Sequence, residues 1–443
     1  MVIIFNRLIA SLFFFIAIVF GQLNQWIELP NSPEASRFND IYFLNNYLGW
    51  AANGWGQIYF TEDGGSTWTL QIEQGQTHFR AITFLDELRG WASAVGIGEF
   101  GSADSTNLYK TFDGGINWIP QDEFIGPTPK GICGLQKLDA NTIYGVGRVR
   151  GPSFFIKTED GGQNWISIDM SLYSASLIDL YFFNKDTGFV VGATNTNHET
   201  SNAIVLRTND GGQNWETMVI TSRHGEKAWK INFPSKNIGY VSLQRNYEAP
   251  IYFIKTIDGG ELWEEKLFLE DYYFVQGIGF INDTLGWIGG NSSNPTYFTE
   301  DGGESWNSAG FGSRVNRFQF FENGEGFSCG RKIYKYTNSL KIFSNENGII
   351  PEIPVVNYPN PFNPETTILV YIPESGQVDV SVLDISGRKV RQLFYGDIYE
   401  GETWKKIVWN GLSDDNNRMV SGVYFCRIVN GSNSFSHRMV LLK

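Results

Sequence analysis

Apolar and polar positions alternate in short runs along most of the chain, as in FNDIYFLN from Phe38, FRAITFLD from Phe79, LIDLYFFN from Leu177 and VQGIGFIN from Val275. A period near two over so few residues predicts strands with one face in a core, and no stretch keeps the 3.6-residue period of a long amphipathic helix. After each run an aromatic follows a glycine or polar step, at Trp50, Trp91, Tyr144, Phe189, Tyr240, Trp287 and Phe327. Seven such marks predict seven repeats of an inner strand and its neighbour. The expected class is all-β.

One motif punctuates the repeats. Thr-x-Asp-Gly-Gly-x-x-Trp occurs six times, with aspartates at Asp63, Asp113, Asp160, Asp210, Asp258 and Asp301 and indoles at Trp68, Trp118, Trp165, Trp215, Trp263 and Trp306. Consecutive copies stand 43–50 residues apart, the length of one four-stranded propeller blade. The residue types explain a turn. The Asp carboxylate accepts from nearby backbone N–H groups and the Gly-Gly pair supplies positive φ. The Trp then enters the next strand and buries its ring beneath the turn, worth about 3–5 kcal/mol against Ala. These aspartates are expected to be structural.

Six turns serve seven repeats. The last repeat ends in KIYKYTNS, Lys332 to Ser339, with no such turn after it, while NQWIELP from Asn24 has no partner near the start. Pairing Trp26 with the Lys332 to Thr337 segment would close the ring through the chain ends and remove two exposed sheet edges.

Composition agrees with short strands and tight turns: 15% of the 443 residues are aromatic, 18% are charged, and 49 are glycine. The net charge, 34 − 47 = −13, repels phosphate backbones and anionic lipid and excludes nucleic acid as a partner. Cys133, Cys329 and Cys426 are too few and too dispersed for a disulfide framework or a metal knuckle, and are expected as buried small hydrophobes. Residues 1–21 read as a secretory signal peptide: Arg7, an apolar run from Leu8 to Phe20, and a cut after Gly21. That run would rise only about 20 Å as a helix, short of the roughly 30 Å hydrocarbon core, so no integral membrane segment is expected in the mature protein.

The repeated octet resembles the bacterial neuraminidase-type Asp-box (BNR-like) repeat. Together with the preceding F-x-x-I-x-F and Gly-Trp steps it is most similar to the photosystem II assembly-factor type of seven-bladed propeller, over residues 24 to 340. The resemblance implies the fold, a seven-bladed β-propeller over residues 22–345. It leaves function open, because Asp boxes occur in sialidases, xyloglucanases, receptors and binding propellers alike.

A Pro-rich, polar segment, residues 346–357, is expected as a linker to a small Ig-like β-sandwich over residues 358–443. This last stretch resembles the C-terminal sorting domain of the type IX secretion system. The resemblance rests on Pro359, Asn360, Pro361, Phe362, Asn363 and Pro364, on Asp384, Gly387 and Arg388, on Trp409, Asn410 and Gly411, and on Ser421, Gly422, Val423 and Tyr424. It departs at Asn410, where Asp is more usual, although a neutral acceptor can still cap that turn. It implies the type IX machinery as partner and a secreted or cell-surface product.

Other chemistry is weakly marked. Gly96, Gly98 and Gly101 spell G-x-G-x-x-G but run into the second Asp box rather than a helix, so no dinucleotide site is expected. His78, His198, His224 and His437 lack ligand spacing, and neither a metal nor a cofactor is expected. Aligning the inner strands puts Asn39, Arg80, Ile178, Trp229, Gln276 and Asn316 at one level facing the central channel, with Asp40, Asp179, Lys230 and Arg317 at the next. Arg80, Trp229, Lys230 and Arg317 are candidates for binding an acidic peptide or a sugar; the plain alternative is a self-compensating ring of charges. Asp40 and Asp179, three blades apart, are expected to stand too far apart for glycoside hydrolysis, which needs carboxylates roughly 5–9.5 Å from each other. A secreted binding or scaffold role is the leading expectation, with no catalytic residue assigned. A secreted sialidase- or xyloglucanase-like hydrolase and an assembly factor for a membrane complex are the alternatives.

Overall fold

The computed structural model describes residues 25–290, 293–337, 355–372, 375–385, 387–399, 403–431 and 433–442. The expected signal peptide and most of the expected linker lie outside the described residues. The chain divides into two units, Met1–Leu340 and Lys341–Lys443.

The first unit holds seven four-stranded antiparallel sheets. Their first strands are Phe38–Phe43, Phe79–Phe84, Gly134–Lys137, Ser176–Phe182, Glu226–Asn232, Val275–Phe280 and Arg317–Phe320. Each packs against the first strand of the next sheet, and Arg317–Phe320 packs back against Phe38–Phe43. Sheets arranged radially about an axis in this way form a β-propeller. Six sheets are built from consecutive strands, whereas the last takes Gln25–Glu28 from the start of the chain as its outer strand. Trp26 stands opposite Tyr336 in that pairing and meets the rings of Trp287, Phe311, Phe318 and Phe320. The edge that Ile333–Thr337 would expose is therefore covered by hydrogen bonds and by an aromatic cluster.

Neighbouring sheets are also keyed by polar side chains. Amide oxygens of Gln136, Asn232 and Gln319 accept the backbone N–H of Phe182, Phe280 and Phe43 in the following sheet. The second-strand aromatics are buried between sheets: Trp50, Trp91, Tyr144, Phe189 and Tyr240 are all closed to solvent. The three cysteines are buried thiols, and the glycines of the G-x-G-x-x-G stretch take positive φ in a loop.

The second unit is a sandwich of a three-stranded sheet (Val355–Tyr358, Thr366–Ile372, Thr403–Trp409) and a four-stranded one (Lys389–Ile398, Gly376–Leu383, Gly422–Asn430, Asn433–Leu441). Ile368, Val380, Trp409, Cys426 and Met439 meet in its single core. Residues 355–357, expected in the linker, belong instead to its first strand. Val355 pairs with Val370, and Asn357 donates to Thr366 Oγ1 at 3.0 Å. Pro351 and Pro354 before it and Pro359 after it hide this strand in the sequence, because so short an apolar run between prolines reads as a linker.

Candidate functional site

The six Thr-x-Asp-Gly-Gly-x-x-Trp turns share one hydrogen-bond pattern. The Thr hydroxyl donates to the Asp Oδ1 at 2.7–2.9 Å and accepts the N–H of the second Gly at 2.8–3.0 Å. Asp Oδ1 also accepts the N–H of the residue before the Trp at 2.8–3.0 Å. The carboxylates are thus consumed by their own turns. Hydrogen bonds from Asn214 and from Ser305 respectively hold Asp210 and Asp301 down at about 2. The Thr hydroxyl, invariant across the copies, is the member whose role the motif conceals. Burial of the indoles is uneven: Trp165 and Trp215 are buried, while the other four are half-buried. Trp68, Trp215 and Trp263 turn back to donate to the second Gly carbonyl.

At the axis the repeated element is a backbone irregularity. Five first strands slip register at equivalent places, leaving Asn39, Arg80, Ile178, Trp229 and Gln276 unpaired. A bulge re-aims the side chain it carries, and here the bulged residues converge. Arg80 lies over the Trp229 ring, 5.0 Å from its centroid. Trp229 Nε1 donates to Asn316 Oδ1 at 3.1 Å, and Asn316 Nδ2 donates to the Asn39 carbonyl at 2.6 Å. Cys133, just before the third first strand, packs beside Ile178 and Trp229.

One level further along, Arg317 Nε is 2.8 Å from Asp40 and its Nη1 is 3.4 Å from Asp179. Lys230 Nζ is 3.4 Å from Asp179 as well. The expectation that Asp40 and Asp179 stand too far apart is corrected, since one guanidinium spans them. Both carboxylates are closed to solvent. They also accept the backbone N–H of Ile82 and Ile231 in the next sheet, donors beside the bulges. Of the four candidate binding residues, Arg80, Trp229 and Lys230 are buried, and Arg317 is committed to the two carboxylates.

Further groups, some buried and some exposed, stand at the end where the first strands begin. Arg37 and His78 each stand one residue before a first strand, a position that the alignment of the first strands makes readable. Arg37 donates to the amide oxygens of Asn39 and Gln276. Burial, with Arg80 and Arg37 nearby, lowers His78 to about 3. Phe100 stacks on His78 at 5.1 Å and lies beside Arg150. Glu99, buried, takes an ion pair from Arg148 at 3.3 Å and the N–H of Arg150 at 2.7 Å; burial still pushes its carboxyl up. Phe100 and Tyr247, both exposed, have φ of 48° and 60°, in the left-handed region that aromatic residues avoid. Tyr247 is 91% exposed and lies 6.5 Å from Tyr272, nearly parallel to it.

In the sandwich, the Pro359 to Pro364 motif is an edge seam. Phe362 is buried against Trp409 and exchanges backbone bonds with Val440 and Leu442, while Asn360 bonds Val440 and Arg438. Asp384 holds Arg388 across the Gly387 turn, and Tyr424, two residues after Gly422, donates to the Val420 carbonyl. Asn410 Oδ1 accepts from Leu412 N at 3.3 Å, so the neutral side chain caps its turn.

Residues 356–442 match the family model of the secretion system C-terminal sorting domain. No curated protein matches the chain. Among solved structures the chain is similar to one described as YCF48 bound to D1 peptide, 19% identical over 70% of this chain and 95% of that one, with a TM-score of 0.51. It is also similar to U3-55K, 8% identical over 70% of this chain and 98% of that one, again with a TM-score of 0.51. At these identities the likeness is one of fold. Among the described residues no helix is long and apolar enough to cross a membrane. The chain carries a type IX sorting domain together with a β-propeller, and a domain of that kind directs its protein to the cell surface or beyond.

Proposed function

We propose that the protein is an exported, non-catalytic binding propeller: a seven-bladed Asp-box ring over residues 22–345, whose box residues are structural, with residues 358–443 as its export signal. The ligand sits on the face where the first strands begin. One observation carries this reading. Two aromatic side chains, Phe100 and Tyr247, are held exposed in a backbone conformation that costs about 1–3 kcal/mol each. Strain at solvent-facing aromatics is retained where the ring has a use. Arg150, beside Phe100, adds a charge-assisted donor, which suits an acidic peptide or a sugar, the extracellular protein or glycan partner expected from the sequence. That a propeller of this fold, YCF48, is described with a bound peptide supports the peptide arm.

Glycoside hydrolysis draws on the convergence of Asp40 and Asp179. Both are sealed and neutralised by Arg317 and Lys230, so neither is placed to protonate or attack a substrate. A glycan array and an acidic-peptide array, run beside a chromogenic glycoside panel, test the choice: capture without turnover is expected, and turnover on the panel overturns the binding reading. Export has its own test. Removing residues 358–443 is expected to hold the protein in the periplasm, and normal appearance of the truncated chain outside the cell refutes the sorting role.

A further inference from the structure

The axis carries more positive charge than its own carboxylates can balance. Arg317 and Lys230 are paired with Asp40 and Asp179. Arg37 and Arg80 form no ion pair among the described residues. Arg37 spends its donors on two neutral amides and is lowered to about 9 by burial and the adjacent Arg80. Arg80 is 1% exposed, and its Nε, Nη1 and Nη2 are all buried without a hydrogen-bond partner. The Trp229 face offers the guanidinium its quadrupole but no acceptor. His78, uncharged at neutral pH, brings no negative charge.

A guanidinium closed from solvent, with every nitrogen unpaired, needs both an acceptor and a counter-charge. Water supplies the first and not the second. We propose that the propeller axis binds a small monovalent inorganic anion, of the size of chloride or bromide, on the Arg80 guanidinium. The adjacent Arg37 adds attraction, and the burial of Arg80 excludes a peptide or lipid as the source of the anion. The site is separate from the outer binding face and stands whether or not that face binds a glycan or a peptide.

The test uses the full chain. Its melting temperature in sodium chloride, against sodium gluconate at equal ionic strength, is expected to rise saturably by about 3 °C. Arg80→Met removes the charge while keeping an unbranched side chain, and is expected to melt identically in the two salts. Crystals grown in sodium bromide are expected to show an anomalous peak within hydrogen-bond distance of Arg80. Equal melting of the wild type in both salts, an undiminished chloride effect in Arg80→Met, or bromide crystals with only water at Arg80 would each overturn the site. The crystal experiment needs no variant, so it decides even if Arg80→Met does not fold.

Discussion

The Asp-Gly-Gly turns and the axial bulges are both repeated around the same ring, yet they repeat different things. In the turns, sequence and geometry recur together: Thr, Asp and Gly make the same three hydrogen bonds six times. At the axis the backbone irregularity recurs but the side chain it carries changes from Asn to Arg, Ile, Trp and Gln. A constant residue in a constant turn is architecture. A constant bulge with a varied residue is a set of inward-pointing positions whose chemistry is free to differ, and here they knit into one asymmetric network.

The sharpest way to break that contrast is at Arg317, which bridges the two buried axial carboxylates. Arg317→Ala leaves Asp40 buried without an ion-pair partner and Asp179 with Lys230 alone, and is expected to cost about 3–5 kcal/mol in urea unfolding. Adding Asp40→Asn and Asp179→Asn is expected to recover much of that loss, since the amides still accept the Ile82 and Ile231 N–H groups. If Arg317→Ala costs no more than a surface change, the axis is solvated and the network idea fails.

The turns make the opposite prediction, equivalence. Thr208→Val removes a donor to Asp210 and an acceptor for Gly212 at a buried site, and about 1–3 kcal/mol is expected. Thr158→Val is expected to match it and the pair to add, because the sites share no partner. Unequal or strongly coupled losses would show that the boxes are not interchangeable.

Acid distinguishes the two regions by a smaller effect. Asp210 and Asp301, held at about 2 in the fold, titrate near 3.9 when unfolded. A depressed carboxylate contributes stability that is complete above its unfolded pKa and is lost as pH falls through the folded one. The urea midpoint is therefore expected to decline between about pH 4 and 2, less steeply in Asp210→Asn. A midpoint flat across this window would separate the box geometry from its electrostatics.

The turns were legible because each is local: eight residues contain every partner except the packing aromatics. Even so, the Thr hydroxyl's double role is not visible in a pattern that only repeats a letter. The axial levels were legible too, since aligning first strands placed Arg80 with Trp229 and Asp40 with Lys230. Which of them touch was not, because contact across an axis depends on ring closure, and strand separation along the sequence overstated the distance from Asp40 to Asp179. The outer face left the least trace. Phe100 and Tyr247 look like ordinary loop residues until their φ angles are known.

Those two residues give the mildest and most specific prediction. A non-glycine side chain at φ near 60° costs stability that glycine does not. Tyr247→Gly is therefore expected to raise the unfolding free energy slightly, by up to about 1 kcal/mol, because the ring is 91% exposed and contributes little packing. The same variant is expected to weaken capture of whichever glycan or peptide the wild type retains, since Tyr247 pairs with Tyr272 as a flat apolar platform. Stability gained with binding lost would show that the strain is kept for the ligand. Stability gained with binding intact would move the binding face off this loop, while stability lost would show that the ring holds the loop together and that the strained aromatic belongs with the architecture after all.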